Sequence, residues 1–91
     1  MKKPKEVDVK TQDEKLNRLI GFNLHHMRYF SMLSQSDLAN KLQLAGLDID
    51  RATLSLIEHG KRKLLASEIP FFAKALDLSI NDFVTKLFNK D

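Results

Sequence analysis

Apolar residues recur at intervals of three and four along this chain, and helix-capping signals separate the runs. The clearest run holds Leu16, Ile20, Leu24 and Met27, a spacing that places side chains on one face of an α-helix. No segment alternates apolar and polar residues with the period of two that a half-buried strand requires. The pattern therefore predicts an all-α fold, and 91 residues suffice for one small core.

Capping signals predict five helices. The first begins near Thr11, which forms a capping box with Glu14, and carries Leu19 and Phe30 beside its apolar face. The fourth helix is predicted over residues 67–76, with Pro70 in its first turn. The predicted N-caps of the second, third and fifth helices are Ser34, Asp50 and Ser79. Gly60 is expected to end the third helix, and Phe83, Val84 and Leu87 to face inward from the fifth.

Composition bounds the class of protein. The charged fraction is 30%, the hydrophobic fraction 43% and the net charge +3, which suits a globular domain and permits a polyanionic partner. The chain contains no cysteine, which excludes disulfides and thiolate metal sites. No apolar run is long enough for a membrane span or a signal peptide, so we expect a cytoplasmic protein without a membrane partner.

The domain organisation follows from the same patterns. Residues 1–10 are polar, contain Pro4 and several lysines, and are predicted to be a flexible basic tail. Residues 11–91 are predicted to form the single domain.

The predicted third helix has two contrasting faces. At 100° per residue, Leu54 and Ile57 fall on one face, with Thr53 and Glu58 at its edges. The opposite face is small and polar apart from one leucine, and consists of Ala52, Ser55, Leu56 and His59, with Arg51 at the N-terminal flank. Such a face suits insertion into a DNA major groove, although an ordinary surface helix also has one apolar and one polar side.

A basic segment follows this helix directly. In "HGKRK", Lys61, Arg62 and Lys63 stand together without an acidic neighbour. The segment can be an ordinary solvated loop or a contact with phosphate groups.

Four stretches, "IGFNLHHMR", "LSQSDLANKL", "RATLSLIEHGKR" and "FFAKALDLSINDF", give the chain a resemblance to a known family. In their order and spacing they resemble the Cro and phage-repressor type of helix-turn-helix regulators, the Xre-like family. The resemblance covers about two thirds of the chain. It implies a compact five-helix, lambda-repressor-like DNA-binding domain, in which helices 2 and 3 form the helix-turn-helix. It also implies a sequence-specific transcriptional regulator of duplex DNA that acts as a homodimer.

The resemblance assigns roles to individual positions. The residues at base-contacting positions are Arg51, Ala52, Ser55 and Leu56. Those at phosphate-contacting positions are Gln35, Ser36, Lys61, Arg62 and Lys63. Arg28 and Glu58 match a partly buried structural ion pair that ties the first helix to the third.

Four departures from the family pattern are present. Met32 and Asp77 occupy positions where the family often has glycine, which suggests altered helix endings. Leu56 replaces a polar base-reading residue, and can touch a thymine methyl or a protein partner. The turn between helices 2 and 3 is about five residues longer than usual.

The extra residues of that turn, "QLAGLDID", have a specific structural interpretation. Helix 2 is expected to continue to about Leu44 and to stop at Gly46 in a left-handed conformation. Leu47 then folds back, and Ile49 and Leu54 form a hydrophobic staple around the cap of helix 3. Asp48 and Asp50 make this corner acidic, and we expect it to face away from DNA phosphates or to cap helix 3 without touching DNA.

The sequence also bears on metal binding, enzyme activity and protein interaction. The adjacent His25 and His26 diverge by about 100° on a helix, so no metal site is expected, and no enzyme activity or cofactor is predicted. The alternative function is a protein-interaction module on the same fold, such as an antitoxin that binds a partner protein. Exposure of Leu44, Leu56 and Leu87-Phe88 would favour that alternative, and the last pair also suggests a dimer contact.

Overall fold

In the computed structural model, the described part of the chain is residues 9–90, with side chains described from Asp13 onward. It consists of helices: α1 (Val9–Phe30), α2 (Gln35–Leu44), α3 (Arg51–Glu58), α4 (Ile69–Ala75) and α5 (Ile80–Leu87). A short 3-10 helix, Ala66–Glu68, precedes α4, and Pro70 lies in the first turn of α4. The prediction of an all-α fold is confirmed for this part of the chain. The predicted tail lies outside the described residues except for Val9 and Lys10, which belong to α1.

Three of the four predicted N-caps are present. The Ser34 hydroxyl accepts a hydrogen bond of 3.0 Å from the Asp37 backbone N–H. The Asp50 carboxylate accepts a hydrogen bond of 2.8 Å from the Thr53 backbone N–H. Ser79 caps α5 in the same way. Thr11 is not the cap of α1, because the helix already includes Val9. A capping residue marks a possible helix start, but it does not prevent the preceding residues from continuing the helix.

The core takes its largest side chains from all five helices. The fully buried members include Leu24, Leu38, Leu42, Leu54, Ile57, Phe72, Phe83 and Leu87. α1 packs against α3 and α5, α2 against α3 and α4, and α4 against α5. Leu16 and Phe30 were expected on the inner side of α1 or beside it, but both are exposed.

The long segment between α2 and α3 is an ordered corner, as predicted. α2 ends at Leu44 and Gly46 adopts a φ of +102°. The Leu47 N–H then donates to the Leu42 carbonyl at 2.9 Å, which closes a Schellman motif. The Gln43 amide donates to the Ile49 carbonyl, and Ile49 itself is buried. The corner therefore sets the start of α3.

The expectation of altered helix endings at Met32 and Asp77 is wrong. Both residues adopt a φ of +59°, in the left-handed region that glycine usually occupies. Leu33 N–H donates to the Arg28 carbonyl, and Leu78 N–H donates to that of Ala73. The hydrogen bonds of the Schellman motif thus hold the same ending without a glycine.

Candidate nucleic-acid interface

The outward face of α3 presents the four residues at the predicted base-contacting positions. Leu54 and Ile57 are buried and fix the rotation of the helix. Arg51, Ala52 and Leu56 are exposed and Ser55 is partly exposed. The structure therefore brings these four side chains together on one accessible surface, with Arg51 in the first turn. Leu56 is 46% exposed and is the large apolar side chain on this face.

The last turn of α3 is fixed to α1 by the Arg28–Glu58 ion pair. Arg28 Nε donates to Glu58 Oε2 at 2.7 Å, and Arg28 Nη2 donates to Oε1 at 3.0 Å. The Glu58 side chain is only 2% exposed. Arg28 also donates through Nη1 to the Leu33 carbonyl, directly after the left-handed Met32. One guanidinium therefore connects α3 to both α1 and the turn before α2.

Two further side chains complete this polar network, and neither of their contacts was predicted from the sequence. Gln35, in the first turn of α2, donates its amide to Glu58 Oε1 at 3.1 Å. His25 Nδ1 lies 3.1 Å from the same oxygen and 2.9 Å from Arg28 Nη2. The position of His25 one turn before Arg28 was the available sequence signal, since residues three apart share a helix face.

The network also changes the acidity of its central carboxylate. Burial on its own would raise the pKa of Glu58. The hydrogen bonds from Arg28, Gln35 and His25 outweigh burial, so that its pKa lies below the ordinary value. Glu58 is therefore a charged, fully engaged group, and α1, α2 and α3 meet at it.

Gly21 allows α1 and α3 to approach closely. A Cβ atom at this position would lie 2.4 Å from the Ile57 carbonyl oxygen and 2.5 Å from that of Glu58. From the other side, a Cβ at Gly60 would lie 2.8 Å from the Arg18 Cα. A glycine inside a helix costs stability and so indicates a packing requirement. That signal could have identified Gly21 from the sequence.

The three basic side chains after α3 differ in their ion pairing. Lys61 is exposed and forms no ion pair with any residue from 13 to 90. Arg62 is held by Glu68 through two hydrogen bonds of 2.6 and 2.9 Å. Lys63 lies 3.3 Å from Asp13 in an exposed pair.

Glu68 is buried, although its sequence context gave no sign of this. It accepts hydrogen bonds from Arg62 and from the Leu65 backbone N–H at 2.8 Å. Burial would raise the pKa of Glu68, but the bonds from Arg62 and Leu65 lower it on balance. The same pair raises the pKa of Arg62. The pair shapes the loop that carries the lysines.

The remaining predicted phosphate contacts lie in the first turn of α2. Ser36 is exposed, whereas the Gln35 side chain is occupied by Glu58. The backbone N–H groups of this first turn point out of the helix start, where helices favour anions.

Neither a metal-binding cluster nor a membrane-spanning helix is found among residues 9–90. Among residues 9–90, no set of three or more histidine, cysteine, aspartate or glutamate side chains is arranged to hold a metal ion. Nor does any helix in that range have the length and apolar character needed to cross a membrane.

Compared with known proteins, the chain matches no protein-family model and has no significant match among curated proteins. A functional assignment therefore rests on the residues and geometry described above.

Proposed function

We propose that this protein is a sequence-specific duplex-DNA-binding transcriptional regulator of the Xre-like type. In this proposal α2 and α3 form a helix-turn-helix with a lengthened turn, and α3 enters the major groove. The observation that carries the proposal is the outward face of α3, where Arg51, Ala52, Ser55 and Leu56 are accessible together. Short side chains allow the helix backbone to approach base edges, and an arginine in the first turn reaches beyond them.

The phosphate contacts are divided among three places. The first turn of α2, at Gln35 and Ser36, offers backbone N–H groups to one phosphate. Lys61 and Lys63 follow α3 and contact the backbone beside the groove. Arg62 is matched to the same role by position, but its bonds to Glu68 make it a residue that shapes the loop.

We further propose that the protein acts as a homodimer on a two-fold related site. A single domain of this size makes few base contacts, so that two half-sites about 34 Å apart provide the selectivity. The acidic corner, with Asp48 and Asp50, then lies away from the phosphates.

Binding to duplex DNA over a series of salt concentrations tests the proposal. Contacts to several phosphates predict an affinity that falls steeply as salt increases. Arg51→Ala should relax the preference between sequences by about 1–3 kcal/mol. Lys61→Ala should weaken binding to all sequences about equally and reduce the salt slope by about 1.

The exposed Asp48 offers a control, since Asp48→Asn leaves both proposed contact surfaces intact. Undetectable binding at low salt would contradict the proposal. An affinity that does not change with salt would contradict it equally.

A protein-interaction module, such as an antitoxin, is the second candidate. Leu44 is 89% exposed, and Leu56 and Phe88 are also exposed. Leu87 adds nothing to this argument because it is buried. Leu56→Ser separates the two functions: loss of sequence preference at one base assigns Leu56 to DNA, and unchanged DNA binding assigns it to a protein contact.

A further inference from the structure

One side of α1 is aromatic and open to solvent. Phe22, His26 and Phe30 recur every fourth residue, with ring centroids 4.3 Å apart for the first pair and 6.3 Å for the second. Tyr29 lies beside Phe30 at 6.1 Å. Phe22, Tyr29 and Phe30 are 59%, 67% and 78% exposed. These four residues are called the aromatic strip below.

The aromatic strip turns progressively away from the side of α1 that packs on α3. Gly21 marks the side of α1 that packs on α3. At 100° per residue, Phe22, His26 and Phe30 lie about 100°, 140° and 180° from that side. His26 and Phe30 therefore lie away from α3, whereas Phe22 lies nearer to it and lines a groove together with Gln35 and His59.

The exposed aromatic area is about half of what one partner buries in a stable interface. With about 200 Å² for an aromatic side chain, the exposed fractions leave roughly 400 Å² of aromatic surface. A stable interface buries about 800 Å² on each partner, and its centre is enriched in aromatic residues. The strip thus supplies the apolar centre of an interface, and its surroundings supply the rim.

Three residues of the strip are arranged symmetrically, with Phe22 and Phe30 each four residues from His26, and Tyr29 lies beside them. If two copies of α1 pack antiparallel about a two-fold axis at His26, Phe22 of each copy meets Phe30 of the other. The groove beside the strip is lined by Asn23, Lys86 and Asn89, and none of its described lining residues is acidic. Lys86 can therefore approach an incoming aromatic ring, a favourable cation–π contact.

We propose that the aromatic strip is the surface through which two copies of this chain associate. This interface rests on the proposed function only for its role on DNA. There the interface would set the separation of the two α3 helices of the dimer. Self-association is measured without DNA, so that the failure of one proposal is distinguishable from the failure of the other.

Analytical ultracentrifugation of the full chain gives the first test. The wild type should form a detectable dimer as its concentration is raised to about 100 μM. Phe30→Ser should weaken association at least about tenfold, and the fold should persist because Phe30 is exposed. Leu44→Ser is the matched control, since Leu44 is at least as exposed as Phe30, at 89% against 78%, but lies on α2. A monomeric wild type, or equal effects of the two substitutions, would overturn the proposal.

Cysteine cross-linking tests the arrangement, because the natural chain contains no cysteine. His26→Cys should form a disulfide-linked dimer on mild oxidation. Phe22→Cys alone should not, because antiparallel packing separates its two copies by about 12 Å along the helix. A mixture of Phe22→Cys and Phe30→Cys chains should form the mixed dimer. Efficient linking of Phe22→Cys to itself, or none at position 26, would exclude this arrangement.

Discussion

Two arginine–glutamate pairs flank the end of α3, and they differ in what they connect. Arg28 and Glu58 are 30 residues apart in sequence and join two helices, and the Glu58 side chain is 2% exposed. Arg62 and Glu68 are 6 residues apart, and Arg62 remains 31% exposed. The first pair therefore holds the orientation of α3 within the fold, whereas the second shapes the loop that follows it.

The comparison shows that similar hydrogen bonds can have different consequences. Removing one partner of a buried pair leaves an uncompensated charge, which is costly. A partly exposed pair loses less, because water replaces the missing partner. The predictions below follow from this difference, beginning with the largest effect.

Glu58→Ala should destabilise the protein by about 3–5 kcal/mol, because it leaves Arg28 buried without its carboxylate. Urea unfolding at neutral pH measures this loss. Asp48→Ala serves as the control, since Asp48 is exposed. A loss below about 1 kcal/mol would show that the two pairs do not differ as described.

Gly21→Ala should destabilise the same junction by about 2–3 kcal/mol, because the added methyl group would collide with backbone atoms of α3. In an open helix the same substitution stabilises by about 0.5–1 kcal/mol. The sign of the change in unfolding free energy is therefore decisive. An increase in stability would mean that α1 and α3 are farther apart than described.

Both glutamates make stability depend on pH, with a sign set by their lowered pKa values. A glutamate titrates near 4.3 in the unfolded chain. Each pair is thus fully stabilising above that pH, and its contribution is lost as pH falls through the lower pKa of the folded state. The urea midpoint should therefore hold from neutral pH down to about pH 5 and should fall as the pH is lowered further through about 4.3 and below.

Variants separate the two contributions to this pH dependence. Glu58→Gln should flatten the acid decline more than Glu68→Gln, because the Arg28 side chain that pairs with Glu58 is 10% exposed, whereas the Arg62 side chain that pairs with Glu68 is 31% exposed. Equal slopes in the two variants would place both carboxylates in equivalent surroundings.

Glu68→Gln should have the smallest effect on stability, about 1 kcal/mol, since Arg62 can turn to solvent. The same substitution should strengthen DNA binding. A released Arg62 adds a phosphate contact, which should increase the salt slope by about 1. Arg62→Gln in the same background should abolish that gain. Weaker binding after Glu68→Gln would show that the loop shape matters more than the additional charge.

Local signals in the sequence predicted much of the fold. Ser34, Asp50 and Ser79 cap helices as expected, because capping depends on residues within one turn. Gly46 ends α2 in the left-handed conformation for the same reason. The left-handed conformation of Met32 was not predicted. A non-glycine residue adopts this conformation only when neighbouring hydrogen bonds hold it, and Arg28 donates one of them to the Leu33 carbonyl.

The site was less predictable because it depends on residues far apart in the chain. The outward face of α3 followed from periodicity, whereas the attachment of Gln35 and His25 to Glu58 follows from how α1 and α2 cross α3. The burial of Glu68 likewise depends on the position of the 3-10 helix. The aromatic strip on α1 escaped prediction because Phe30 lies close to the apolar stripe of the helix, and periodicity did not show which side would be covered.

Selection of bound sites from random duplex DNA tests the central proposal most directly. The wild-type chain should enrich a motif, with two-fold related halves about 34 Å apart. Arg51→Ala should enrich the same motif with one position in each half relaxed. Enrichment of no motif by the wild type, or an identical motif from both chains, would contradict the assignment of α3 as the DNA-reading helix.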